Sequence, residues 1–408
     1  MRILQINTVV NSGSTGRIAE DIGQVLMSYG HKSYIAYGRG NRPSTSNLIK
    51  IGNTFDVLLH GFYTAIFDRQ GFGSKKATQK LLIEIDRINP DVVGLHNIHG
   101  YYLNIEVLFK FLAERKIPIV WTLHDCWAFT GHCAFFDSIS CEKWKTQCEK
   151  CPKTRSYPSS YLIDNSKNNY LDKKRIFNLI KNGTIITPSN WLKNLVEESF
   201  LNYPVLKIHN GIDLKVFKQI VDVDKVKLKY QISDAKVVLG VASIWDTRKG
   251  LDDFIELQKR NTGNFQIVLV GLSNKQLKSL PQGIIGIKRT ENTTELATLY
   301  SIATVFVNPT YQDNFPTTNI EALACGTPVI TYKTGGSPEA IDEITGRIVA
   351  KGDLVSLKNT IDEVISIGKN HFSLACRKRA VEMFNKEDRF LDYLKVYEEI
   401  SKQQLSVN

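Results

Sequence analysis

Short apolar runs rich in Val and Ile alternate along the chain with stretches whose apolar residues recur every three or four positions. Such runs, bounded by turn residues, fit parallel strands buried on both faces. They occur at residues 2–9, 33–37, 91–95, 119–123, 184–187 and 205–208, and again at 236–243, 265–271, 303–307 and 328–331, and a further one ends in Gly286-Ile-Lys-Arg-Thr290. Helical spacing comes after the first run up to about residue 29 and recurs at 55–67, 294–301, 317–325 and from 384 onward. Alternation of the two periods predicts α/β units with parallel sheets. A chain of 408 residues has room for two domains of ordinary size. Residues 55–67 carry many aromatics and are followed by Lys75 and Lys76. Their aromatic face is expected to pack into the core with the lysine end in solvent; contact with a bilayer is the other reading.

The densest chemistry lies at residues 308–341, NPTYQDNFPTTNIEALACGTPVITYKTGGSPEAI. Asp313 falls in the loop after a strand, Glu321 in a helix body and Gly326 where a helix ends on a left-handed residue. Gly335 and Gly336 form a second loop, expected to feed a second helix. This order places two carboxylates and two helix N-termini at the carboxyl edge of a parallel sheet, where open α/β folds bind ligands. A carboxylate accepts two hydroxyl hydrogen bonds, which suits a ribose or hexose diol, and exposed helix N–H groups suit a diphosphate. Two further loops fit the same ligand. Gly13 and Gly16 allow close approach to phosphate, although the third glycine of a dinucleotide fingerprint is missing. Arg248 and Lys249 stand before a helix, where they can clamp a diphosphate.

Two strands of the first half end in histidines, His96 and His99 after one and His124, with Asp125 next to it, after the other. Three histidines at one sheet edge point to a ligand site. The segment 131–152 holds Cys133, Cys141, Cys148 and Cys151. Four thiols ending in C-x-x-C predict a structural zinc site, with free thiols or a disulfide pair as the alternative, because the spacing matches no common finger.

Charge narrows the partners. Lys and Arg number 52 against 41 Asp and Glu, a net +11, and residues 1–205 hold 25 of the former against 17 of the latter. No basic helix interleaved with aromatics is present, so a membrane surface or a diphosphate fits the excess better than nucleic acid. No apolar run reaches membrane-spanning length and the amino terminus enters a strand without a leader pattern, which reads as a cytosolic chain.

The acid-x7-acid spacing of Asp313 and Glu321, the CGTPVI and GGSPE continuations and Thr122-Leu-His124-Asp125 together resemble the family 4 retaining glycosyltransferases of GT-B fold. The resemblance covers nearly the whole chain and implies two Rossmann-like domains facing a cleft. Residues 1–205 would form an acceptor-side domain, 206–385 a nucleotide-sugar domain, and a helix at about 386–408 would cross back to the first. His209-Asn-Gly-Ile-Asp213 resembles the interdomain hinge. The implied reaction moves a hexose from a UDP- or GDP-type sugar to a hydroxyl of a glycan or lipid-linked acceptor. It proceeds with retention and with no cofactor for the chemistry, in cell-envelope, capsular or exopolysaccharide assembly. His124, Lys249 and Asp313 would be catalytic; Gly16, Arg248, Lys249, Asp313, Asn314, Phe315, Glu321 and Gly336 would hold the donor. The first acid of the family is usually Glu, and a further Arg usually stands near Ser243; both differ here. A nucleotide-sugar-binding module without catalysis, or an epimerase of similar fold, is the alternative.

Overall fold

The computed structural model describes residues 1–405, so positions 406–408 of the expected terminal helix lie outside the described residues. It divides into two compact units, Met1–Ile208 with Phe390–Asn408, and His209–Arg389.

The first unit is built on seven strands: β1 (Arg2–Asn7), β2 (Lys32–Tyr37), β3 (Asn47–Lys50), β4 (Val92–Leu95), β5 (Ile119–Thr122), β6 (Gly183–Thr187) and β7 (Val205–Lys207). They pair in the order 3-2-1-4-5-6-7, every pair parallel. β3 was not visible in the sequence pattern, because an edge strand reading Asn-Leu-Ile-Lys has three of its four residues exposed. The second unit has β8 (Val237–Val241), β9 (Gln266–Val270), β10 (Ile284–Ile287), β11 (Val305–Asn308), β12 (Val329–Tyr332) and β13 (Gly346–Val349), ordered 10-9-8-11-12-13 and again parallel. In each sheet the strand order reverses once, beside β1 and β4 in the first and beside β8 and β11 in the second. Loops leaving the carboxyl ends of neighbouring strands diverge at such a point and open a crevice.

Two expectations fail here. The loop at Gly335 and Gly336 feeds only a four-residue 3-10 turn, Ser337–Ala340, with Pro338 inside it, and no second α-helix starts there. Helix Thr54–Phe67 also turns its aromatic residues outward and buries His60 and Thr64 instead.

The last helix, Lys386–Leu405, comes after Lys369–Phe384 with a break at Asn385. At that break the Ile212 amide donates to the Phe384 carbonyl at 2.7 Å and the Lys386 amide to Ile212 at 3.1 Å. Beyond it Phe390, Tyr393, Leu394 and Tyr397 pack with Ile3, Ile18, Val92, Val120 and Ile186 on one face of the first sheet. Each such fully buried side chain contributes about 1.5–3 kcal/mol. The fit explains a glycine inside a strand: a Cβ on Gly94 would stand 2.2 Å from the Tyr397 hydroxyl oxygen and 3.2 Å from Cζ.

Gly94→Ala should therefore destabilise the first unit by roughly 1–3 kcal/mol through overpacking. In a Tyr397→Phe background, where the nearest atom is gone, the same change should cost clearly less. Urea unfolding of the four proteins in this cycle measures the difference; equal costs in both backgrounds would contradict the contact.

Candidate functional site

In the second unit the crevice beside β8 and β11 collects the loop 242–250 and the loop 309–316. The two are tied: the Tyr311 amide donates to the Arg248 carbonyl at 2.7 Å and the Thr310 hydroxyl to the same oxygen at 3.2 Å. Gly250 takes φ +74°, and a Cβ there would lie 2.3 Å from the Pro309 carbonyl oxygen, so only glycine lets the loops meet. Lys249 Nζ donates to Asp313 Oδ2 at 2.5 Å, with both side chains mostly buried. The two residues expected to contact different parts of one ligand are thus each other's partners. Lysine has three N–H donors and this pair uses one. Arg248 bends back on Asp246, Nε and Nη2 reaching Oδ2 at 3.0 and 2.9 Å.

Glu321 lies in helix Thr317–Ala324, and its Oε2 accepts from the Tyr300 hydroxyl at 2.9 Å. Tyr300 comes from helix Thr293–Ile302 and is fully buried; burial first, then the Glu321 charge, pushes its phenol up. A polar lattice braces this floor. Asn308 donates to Asn319, Asn319 donates to the Ser337 hydroxyl at 2.9 Å, and the Thr331 and Ser337 hydroxyls meet at 2.6 Å. It pins the ends of β11 and β12, helix Thr317–Ala324 and the turn Ser337–Ala340 together. Gly336 joins it by donating its amide to the Asn314 carbonyl at 2.9 Å.

Three of the residues expected at the donor have the following surroundings. The Phe315 ring is buried, stacked on His209 with ring centres 4.8 Å apart, and is core rather than ligand surface. Gly336 heads a 3-10 turn and no α-helix, so the helix N-terminus expected there does not form. Gly16 sits inside helix Gly13–Ser28, and a Cβ there would meet Val9 at 3.0 Å and the Asn11 amide at 3.2 Å; its close approach is to its own loop.

In the first unit the crevice beside β1 and β4, extended by β5, receives the histidines. A cavity there is lined by His96, His99, His124, Asp125, Trp121 and Trp127. Its hydrogen bonds determine the tautomers. Gln5 donates its Nε2–H to the Ala19 carbonyl at 2.8 Å, so its Oε1 faces His96 Nε2 at 3.0 Å and accepts that proton. His96 Nδ1 then accepts from His124 Nε2–H at 3.2 Å. Burial lowers His124 to about 4, against the raising effect of Asp125 and with a further lowering from His99. Burial, then His124, keeps His96 well below its ordinary value. Both rings are neutral near pH 7, and the relay leaves His124 Nδ1 as a lone-pair acceptor. Such a nitrogen recognises a hydroxyl proton and repels a phosphate oxygen.

Beside it His99 Nε2 meets Asp125 Oδ2 at 2.9 Å and His99 Nδ1 meets the Tyr157 hydroxyl at 3.0 Å, which Gln70 also contacts. Gln5, Gln70, Tyr157 and, in the other unit, Tyr300 could not be found from the sequence. They lie 21 to 91 residues from the groups they hold and form no local motif.

The four cysteines of the segment expected to hold zinc are free thiols in this structure. Among the described residues no three His, Cys, Asp or Glu side chains are arranged to hold a metal ion. Cys133 is buried and its thiol hydrogen-bonds Cys151; this bond is the largest cause lowering Cys151 to about 7 and raising Cys133. Cys148, raised to about 11 mainly by burial, lies near both Cys151 and Cys141. Lys173, buried under Trp127, donates to the Trp127 and Thr130 carbonyls at 2.8 and 3.1 Å and fastens the start of this loop from below.

Known proteins share this architecture. The family description "Glycosyltransferase Family 4" matches residues 15–216 and "Glycosyl transferases group 1" matches 235–366. A putative colanic acid biosynthesis glycosyl transferase, WcaC of Escherichia coli K12, is 26% identical over 380 residues, 88% of this chain and 89% of its own. Among solved structures, HepE of Anabaena in complex with UDP superposes with a TM-score of 0.72 at 14% identity, covering 98% of this chain and all of that one. WaaG, a glycosyltransferase involved in lipopolysaccharide biosynthesis, gives 0.65 at 15% identity, covering 98% and 99%. At these identities the structures show the fold, GT-B, and the two parallel-sheet units agree with it.

Gln5→Glu tests the relay. A carboxylate still accepts from His96 but favours imidazolium, so NMR titration should show the His124 pKa raised by about 1 unit or more. An unmoved His124 would mean that the chain of bonds does not set its state. Alkylation checks the thiols. At pH 7 Cys151 should react first of the seven cysteines, about tenfold more slowly for each pH unit below its pKa, because only the thiolate attacks. Four equally protected thiols at 133, 141, 148 and 151 in peptide mass spectrometry would instead mark bound metal.

Proposed function

The chain belongs to the family 4 glycosyltransferases, and from that premise we propose that it transfers a hexose, with retention, from a nucleoside diphosphate sugar to a hydroxyl of an envelope or exopolysaccharide glycan. The observation that carries the reading is the crevice beside β8 and β11, where Lys249 and Asp313 form an ion pair across two loops and Glu321, in the helix that follows the second loop, is oriented by Tyr300. HepE, which shares the fold, was crystallised with UDP, and WcaC is named for colanic acid biosynthesis. These relatives support a nucleotide donor and a polysaccharide setting for this chain.

In this reading the second unit holds the donor. Glu321, oriented by Tyr300, accepts the ribose hydroxyls, and Lys249 turns its remaining N–H donors to the diphosphate. Departure of the nucleotide builds charge on the β-phosphate, and a preplaced cation in a partly buried site stabilises that charge more than it stabilises the bound donor. Asp313 keeps Lys249 in place and offers its other carboxylate oxygen to a sugar hydroxyl. The neutral His124 accepts from another substrate hydroxyl. No side chain is assigned as base, and the acceptor proton passes to an oxygen of the departing phosphate. The acceptor is a lipid-linked or envelope intermediate at the cytoplasmic face of the membrane.

Lys249→Ala should lower turnover roughly 100-fold or more while changing donor affinity far less. Glu321→Ala should do the reverse, weakening donor binding by about 1–3 kcal/mol as the ribose loses its acceptor. A panel of UDP- and GDP-sugars with extracted lipid-linked acceptors, read by product formation and by calorimetry, measures both. Near wild-type turnover for the lysine variant, or unchanged affinity for the glutamate variant, would overturn the respective role.

A further inference from the structure

Helix Thr54–Phe67 is folded inside out. Phe55, Leu58, Leu59 and Phe62 stand at the i, i+3, i+4, i+7 positions of one face and are 70, 66, 56 and 65% exposed. The opposite face buries polar groups, and each of them is satisfied. His60 Nε2 accepts the Gly71 and Gly73 amides at 3.2 Å, His60 Nδ1 meets the Ser74 hydroxyl at 2.9 Å, and the Thr64 hydroxyl donates to the His60 carbonyl. Burial lowers His60 to about 4, so the accepting tautomer holds near pH 7. Rotating the helix to hide its apolar stripe would break the three His60 bonds to Gly71, Gly73 and Ser74. The stripe is therefore locked towards the outside.

A second apolar segment lies beside it. The Tyr161 amide donates to the Ala65 carbonyl at 2.8 Å, which sets Tyr161, Leu162 and Ile163 along the last turn of the helix, 63, 75 and 44% exposed. Asp56, the one charged residue of the helix, is spent on its own start, where its carboxylate accepts the Asn53 amide. The flanking sequence is basic: Lys75, Lys76 and Lys80 come next on an exposed helix surface, and Lys150, Arg155 and Lys167 bracket the second segment. Contiguous apolar surface of this kind, rimmed by cations, marks a contact with something other than water.

We propose that helix Thr54–Phe67 and the Tyr161–Ile163 segment seat the first unit on an anionic lipid bilayer, with the stripe entering the head-group and acyl boundary and the lysines meeting anionic heads. A helix with one apolar face and basic surroundings lies in the interface plane in this way. Charge decides between occupants. A second copy would bring two basic rims together in a chain of net charge +11, whereas anionic head groups neutralise the rim. The stripe consists of residues to which the proposed function gives no role, so it rests on that reading only for what the enzyme finds at the membrane.

Flotation tests it. Full-length protein is mixed with vesicles of phosphatidylglycerol and phosphatidylethanolamine, or of phosphatidylcholine alone, at low and at high salt. The wild type should float with the anionic vesicles and keep a substantial bound fraction at high salt, because apolar insertion is not screened as charge is. Phe55→Ser, Leu59→Ser and Phe62→Ser combined should lower the bound fraction at least tenfold at both salts. Lys75→Glu with Lys76→Glu should lower it only at low salt. Donor hydrolysis and circular dichroism, unchanged in both variants, separate lost docking from lost folding or lost catalysis. Wild type that stays unbound under every condition, or a triple-serine variant that floats like wild type, would overturn the proposal. So would a wild-type dimer that fails to float and that the serine variant converts to monomer.

Discussion

Everything chemical in this molecule depends on the burial of two parallel sheets on both faces. A strand such as Val-Val-Gly-Leu at residues 92–95 or Val-Phe-Val-Asn at 305–308 is wholly buried and has no solvent side to carry a reactive group. Polar function is left to the loops at the carboxyl ends, and at the reversal points those loops part. The first sheet delivers His96, His99, His124 and Asp125 to its crevice, and the second delivers Lys249, Asp313 and Glu321. The asymmetry matters chemically. One crevice is set up with the neutral imidazoles of His96 and His124, the other with a cation balanced by an acid.

How each crevice maintains its charge state is also a matter of burial. Three histidines of the first unit, His60, His96 and His124, are held neutral, and in each case burial is the leading cause. Neutral imidazole needs a partner at each nitrogen or a reason to leave one open. His60 and His96 have both nitrogens engaged within the protein. His124 alone ends a chain of donors that began at a helix carbonyl. The folded pKa of about 4 lies below the ordinary value of 6.5, so the unfolded chain binds more protons as pH falls from about 6.5 towards 4. Stability of this unit is lost across that interval and is insensitive to these groups above it.

The sequence revealed eleven of the thirteen strands among the described residues, missing β3 and β13, and the order of the two α/β halves, because a buried parallel strand has a strong apolar signature. Orientation was less legible. Residues 55–67 have the period of an amphipathic helix, and the period says that one face is apolar without saying which face is inward. Here one buried polar side chain, His60, and its bonds to residues 71–74 settled it, and those bonds join segments with no shared motif. Phe315 failed for a related reason. An aromatic beside a ligand loop reads the same in sequence whether it faces the crevice or, as here, stacks on His209. The glycine loop was legible as a loop but not in its continuation, since Pro338 limits the next segment to a single 3-10 turn.

The Lys249–Asp313 pair shows why a motif departure need not mean lost chemistry. Asp is one methylene shorter than the Glu usual at that position, and in this structure the shorter carboxylate meets a lysine from the neighbouring loop at hydrogen-bond distance. The loop junction makes that contact possible: Gly250 brings the backbone against Pro309, and Arg248 gives its carbonyl to both Thr310 and Tyr311. With each charge satisfying the other, neither is left desolvated and alone, a state that is expensive in a partly buried site. The lysine can then turn towards a diphosphate while keeping its carboxylate, because its three N–H donors point in different directions and only one is taken. A short acid at position 313 thus serves the cation as its partner, and the geometry of two joined loops fixes where that pair stands.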